Sequence, residues 1–179
     1  MNETHERMLS PEYLTGLPDR PIDEVRTMRA DCIEVETGLS YLRRMVQGPL
    51  DIVNHELTRR ANGEAAADLA TVVADLPETL ADGPRPPGLG RLTQTLEPTV
   101  VDPELSEELD VLLDDARLGE IGTISESELT ALADRLRAYE AKVSDRRKVY
   151  FDVIDALQAE IARRYRDGEA SVESLLDGA

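Results

Sequence analysis

Tryptophan is absent from this sequence, and phenylalanine and cysteine each occur once. Five tyrosines make up the rest of the aromatic content. Large rings dominate the energetics of most globular cores, so this supply points instead to helix-on-helix packing by Leu, Val and Ala. A single cysteine excludes an internal disulfide, and Cys32 is read as a small buried apolar side chain. No apolar run approaches the roughly twenty residues of a membrane span. The N-terminal MNETHERMLSPEY lacks the charged-then-apolar layout of a secretory signal, so a cytoplasmic protein is expected. Basic charge is scarce too: 20 Lys and Arg stand against 37 Asp and Glu, a net charge of −17. Contacts to phosphate backbones need clustered Lys and Arg, which argues against direct nucleic-acid binding. Such a field favours basic protein surfaces, for example those of DNA-binding proteins. His5 and His55 are isolated, with no His or Cys cluster at metal-ligand spacing. No Ser-His-Asp, Cys-His or Gly-rich phosphate loop is present; Gly88-x-Gly90 lies in a Pro-rich stretch without a strand–helix context. An all-α enzyme is therefore the weakest reading, and neither a catalytic site nor a metal is expected.

What the chain does have is two heptad seams. Residues 1–20 are expected to be a flexible N-terminus, interrupted by Pro11 and Pro18. A helix should begin near Pro21, with Asp23 and Glu24 at the positive end of its dipole. Val25, Cys32, Leu39, Val46 and Val53 are seven apart, with Met28, Val35 and Leu42 as the partner series, which then breaks at Pro49 and Glu56. Asn62-Gly63 is a stop signal, so 21–62 is the first coiled-coil helix. Ser125 and Glu128 have capping-box spacing. Behind them run Leu129, Leu136, Val143, Tyr150 and Leu157, with Leu132, Tyr139 and Val153 in the partner series, up to Asp167-Gly168. Residues 125–168 are thus the second coiled-coil helix. Between them, 63–124 reads as a connecting region. It holds a short helix over 64–76 that ends at Pro77, a turn or flexible loop at 82–90 (DGPRPPGLG), and a second short helix over 103–118. Residues 169–179 are an acidic tail. The expected fold is all-α: a long antiparallel two-helix coiled coil within one subunit, with shorter helices in the connecting region.

One polar pattern occurs on both long helices: Glu36, Ser40, Arg43, Gln47, Asp51, and then Glu140, Ser144, Arg147, Phe151, Asp155. The spacing is identical and keeps each set on one helical face. With Leu39 and Val143 as position a, both copies have Glu and Arg at e, Ser and the Gln or Phe at b, and Asp at f. Two antiparallel helices carrying the same flank motif are related by an approximate two-fold axis, and a two-fold symmetric or dimeric ligand would suit them. Arg donates in bidentate fashion to guanine O6 and N7 or to phosphate. A carboxylate accepts both N1–H and N2–H of guanine. These types fit guanine or phosphate recognition better than metal binding. Solvated or paired flank charges are the competing reading, which makes the chain a structural or homo-oligomeric coiled coil without a nucleotide ligand.

Glu-x3-Ser-x2-Arg-x3-Gln-x3-Asp, written twice on two long helices, resembles the RsiG family of cyclic di-GMP-dependent anti-sigma factors of sporulating actinobacteria. The likeness rests on EVETGLSYLRRMVQGPLDIV at 34–53 and YEAKVSDRRKVYFDVID at 139–155. It covers roughly half the chain. The resemblance implies a stacked dimer of cyclic di-GMP on the motif face. It implies a loaded monomer that sequesters a flagellar-type sigma factor, WhiG, in a 1:1 complex, and so represses late sporulation transcription. The ligand contacts it implies are Glu36, Ser40, Arg43, Gln47, Asp51, Glu140, Ser144, Arg147 and Asp155. Two departures stand out. Phe151 replaces the second Gln, and Gly48-Pro49 lies inside the first motif, where proline removes a backbone hydrogen bond and tends to kink a helix.

Overall fold

The computed structural model describes residues 7–67, 69–79 and 98–169. The loop expected at 82–90 and the tail beyond Glu169 lie outside these. Among the described residues there is no strand, and the fold is all-α as expected. Two helices dominate: α1 over Ile22–Ala61 and α4 over Glu126–Arg166, each about 60 Å long. Between them lie α2 (Leu69–Thr79) and α3 (Pro103–Ala116).

Local chemistry sets the ends of the long helices. Ser125 caps α4 in a full capping box: its hydroxyl accepts from Glu128 N–H, and Glu128 accepts from Ser125 N–H at 3.0 Å. Gly63 and Gly168 follow the two C-termini with φ of +81° and +74°, values that favour glycine. The first helix runs unbroken through Gly48-Pro49.

Every expected seam residue, from Val25 to Val53 and from Leu129 to Leu157, is buried, as is the partner series. The two helices pair antiparallel. Arg26 meets Tyr165 near one end, Arg43 meets Glu140 in the middle, and Arg137 meets Asn54 towards the other end. Cys32 is buried and its thiol is pushed up by burial.

Three expectations are corrected. Residues 8–19 are not loose. They form short 3-10 turns at Pro11–Leu14 and Leu17–Asp19, and Met8, Tyr13 and Leu17 join the core. The reason is tertiary, since Arg164 donates to the Leu17 and Arg20 carbonyls from the far end of the chain. The helix expected over 64–76 starts later, at Leu69, and passes Pro77, which lacks the N–H that would bond the Val73 carbonyl, to stop two residues on at Thr79. Residues 64–67 stay non-helical, with Ala67 N–H held by the Glu56 carboxylate at 3.2 Å. The helix expected over 103–118 stops at Ala116, because Arg117 turns left-handed at φ +38°.

The glutamate that breaks the seam is an anchor. Glu56 is 2% exposed and bonds Arg60 Nε at 2.6 Å. Arg60 in turn donates to the Ile121 and Ile124 carbonyls, just before α4. Glu160 and Arg164 repeat this at the other end, with Arg164 on Leu17 and Arg20 just before α1. Each of these residues has its counterpart 104 positions along, from Leu17 and Ile121 to Arg60 and Arg164. The approximate two-fold relation therefore extends well beyond the polar motif.

The connecting region covers one side of the coiled coil. Val100 packs so close to Gly38 that a Cβ there would sit 2.1 Å from its carbonyl oxygen. Arg146 bonds the buried Asp102 at 3.1 Å, and Tyr139 donates to the Leu105 carbonyl. Lys142 pairs with Glu108 and Arg135 with Asp115. These helix positions are d and g. Among the described residues none of the connecting region packs on the flank formed by e, b and f, which is the flank of the polar motif.

Candidate functional site

The motif copies meet across the helix pair in a crossed arrangement. Arg43 Nε donates to Glu140 at 2.7 Å, and Arg147 Nε donates to Glu36 at 3.1 Å. Ser40 donates to Glu36 at 2.6 Å and Ser144 to Glu140 at 3.1 Å. The first motif's arginine thus pairs with the second motif's glutamate, and the reverse. This is the contact pattern a two-fold axis through the centre requires. The Arg43 guanidinium beside it, then the Ser144 hydroxyl, hold the Glu140 carboxyl below the usual glutamate range.

The register orders the strip. The two serines lie at its centre, flanked by Glu36–Arg147 on one side and Arg43–Glu140 on the other. The arginines are about 10 Å apart along the axis at 1.5 Å per residue. Gln47 and Asp51 continue towards one end, Phe151 and Asp155 towards the other. The two aspartates are about 35 Å apart by the same rise. Both are exposed, and neither they nor Gln47 bond to any described residue. So the structure joins Glu36, Ser40 and Arg147 in one triad and Glu140, Ser144 and Arg43 in a second beside it, and places Gln47, Asp51 and Asp155 along their extension.

The two halves are not identical. Phe151 is 43% exposed, and the Arg147 guanidinium carbon lies 5.2 Å from its ring centroid, a cation–π contact. Arg147 also meets one Glu36 oxygen through both Nε and Nη2, whereas Arg43 meets Glu140 through Nε.

The repeated motif leaves out Arg44 and Lys148, which share the 104-residue offset and are exposed beside the motif arginines. Within a chain of net charge −17, the centre of this flank carries Arg43, Arg44, Arg147 and Lys148 against Glu36 and Glu140. That local excess of cations is the chemistry of an anion-binding face. Among the described residues no group of three or more His, Cys, Asp or Glu could hold a metal ion.

A family model described as RsiG-like matches residues 11–80 and 115–178, more than half of the chain and both motif copies. No curated protein matches the sequence.

Proposed function

Because this chain belongs to the RsiG-like family of anti-sigma regulators, we propose that it binds two molecules of cyclic di-GMP along the open flank and, so loaded, holds a WhiG-type flagellar sigma factor. The observation that carries the reading is the crossed Arg43–Glu140 and Arg147–Glu36 arrangement on the flank that the described part of the connecting region leaves uncovered.

Each half of the strip offers one serine, one arginine and one outer carboxylate. One nucleotide per half follows, with the two meeting at the centre. Asp51 and Asp155 are free to accept N1–H and N2–H from a guanine edge. Arg43 and Arg147 donate to guanine O6 and N7 or to phosphate. The Nη groups of Arg43 remain available while Nε stays on Glu140, so ligand binding need not break the crossed pair. Arg44 and Lys148 add positive charge where phosphates would collect. No bond is made or broken, and the family is one of regulators, not a known family of enzymes.

Loading bridges α1 and α4 on the side that no other described element covers. A sigma factor that touches both helices then meets a fixed surface and loses less entropy on docking. The acidic remainder of the chain suits the basic DNA-binding surface of such a partner. Repression follows if the bound sigma factor cannot reach polymerase or promoter.

Isothermal titration calorimetry of the full chain with cyclic di-GMP tests the ligand. The expected result is two molecules per chain and no comparable heat with cyclic di-AMP. Absence of binding would return the crossed pairs to a structural clasp between helices.

A further inference from the structure

We propose that Arg29 is a further phosphate-binding residue of the nucleotide strip, serving the half that ends in Asp155. The inference rests on the cyclic di-GMP reading above and extends it to a residue outside the repeated motif.

Arg29 occupies the same e flank as the motif, one heptad before Glu36. The register set by the Glu36–Arg147 pair puts it opposite Ile154, at the level of Asp155. Its Nε is buried and has no hydrogen-bond partner, and it is the one such buried side-chain atom among the described residues. Arg29 forms no ion pair with any described residue, although every neighbouring arginine on this flank (Arg26, Arg43, Arg137, Arg147) has a polar partner. Buried donors in native structures are almost always satisfied. An orphaned guanidinium donor beside a proposed anion site is accounted for if the anion supplies the missing acceptor.

Charge balance points the same way. Over the whole strip the carboxylates Glu36, Asp51, Glu140 and Asp155 balance Arg43, Arg44, Arg147 and Lys148. A dimer of cyclic di-GMP brings a further negative charge with every phosphodiester. Such a ligand needs cations beyond the motif, and Arg29 is the e-position candidate that no carboxylate already neutralises. The residue 104 positions on is Ala133, which is buried and uncharged. The two halves therefore differ: one combines Arg29 with Phe151, the other Ala133 with Gln47.

The test compares the full-length protein with Arg29→Met, which keeps the apolar stem, and Arg29→Ala. Affinity for cyclic di-GMP is measured by calorimetry at low and moderate salt, alongside the melting temperature of the unliganded protein. The expected result is about a tenfold or greater loss of affinity, larger at low salt, for a lost charge-assisted hydrogen bond. The melting temperature without ligand should stay the same or rise, since an unsatisfied donor is removed. Equal affinity of both variants and the unmodified protein would overturn the role of Arg29 while leaving the ligand reading intact. A fall in unliganded melting temperature without loss of affinity would make Arg29 a packing residue. No binding by the unmodified protein would overturn the ligand reading itself, and this inference with it.

Discussion

The four charged residues of the crossed pairs would do two jobs of unequal weight on the proposed reading. Glu36, Arg43, Glu140 and Arg147 are 16–37% exposed at their side chains. Ion pairs in that environment contribute about 0–1 kcal/mol to folding. A hydrogen bond from arginine to a phosphate or guanine acceptor is worth about 1.5–3 kcal/mol. Arg43→Ala and Arg147→Ala should therefore lower stability by no more than about 1 kcal/mol in denaturant melts. The same variants should weaken cyclic di-GMP binding by roughly ten- to a hundredfold. A large loss of stability with unchanged affinity would show that the crossed pairs only clasp the helices. Asp155→Ala should act differently. It removes the proposed acceptor for guanine N1–H and N2–H, so it should raise the relative affinity for cyclic di-AMP more than it lowers total binding.

The elements depend on polar anchors as much as on the apolar seam. Glu56 accepts from Arg60 and from Ala67 N–H while almost fully buried. Glu56→Ala would leave the Arg60 Nε and the Ala67 N–H without their acceptor, and should cost about 3 kcal/mol, within the range for breaking a buried pair from one side. Glu56→Gln keeps an acceptor and should cost less; a reversed order in equilibrium denaturation would rule out this account. Much of the fold was legible because its signals are local. The seven-residue spacing of Val25 to Val53, the Ser125–Glu128 cap and the Asn62-Gly63 stop all act within a turn or two. The packing of Tyr13 and Leu17 was not legible, because it depends on partners across the molecule: Tyr13 reaches the Met28 carbonyl, and Leu17 is held by Arg164. Glu56 was read as a break in the seam for the same reason. The motif phase placed every candidate residue on one flank. It did not give the stagger that pairs Arg43 with Glu140, nor which flank α3 would leave open. The second repeat, Glu56-x2-Arg59-Arg60 with Glu160-x2-Arg163-Arg164, was written in the sequence at the same 104-residue offset. It lay beyond the motif where the comparison stopped.

At the scale of the whole molecule, the described residues give the coiled coil a covered side and an open side, and the proposed regulation follows from what each can touch. The connecting helices close the d and g flank with ion pairs such as Lys142–Glu108 and Arg135–Asp115. Much of the remaining surface is acidic, at a net charge of −17. Association with a basic sigma-factor surface should therefore slow as salt rises, because exposed charges are screened beyond about 10 Å at 0.1 M ionic strength. Nucleotide binding acts on a different quantity. By tying Arg43 on α1 and Arg147 on α4 to one stacked ligand dimer, the proposed loading would restrict relative motion of the two helices, so a partner contacting both would dock at lower entropic cost. Linkage then fixes a number that can be checked twice. If cyclic di-GMP tightens binding of a WhiG-type sigma factor by some factor, the sigma factor must tighten cyclic di-GMP binding by the same factor. Titrating each ligand in the absence and presence of the other should return the two factors equal within error. Arg43→Ala and Arg147→Ala should reduce the coupling of the two bindings, with little effect on the salt dependence of sigma association. Equal sigma affinity with and without nucleotide would remove the gating. Loss of sigma binding in those variants even without nucleotide would place the sigma contact on the motif flank itself.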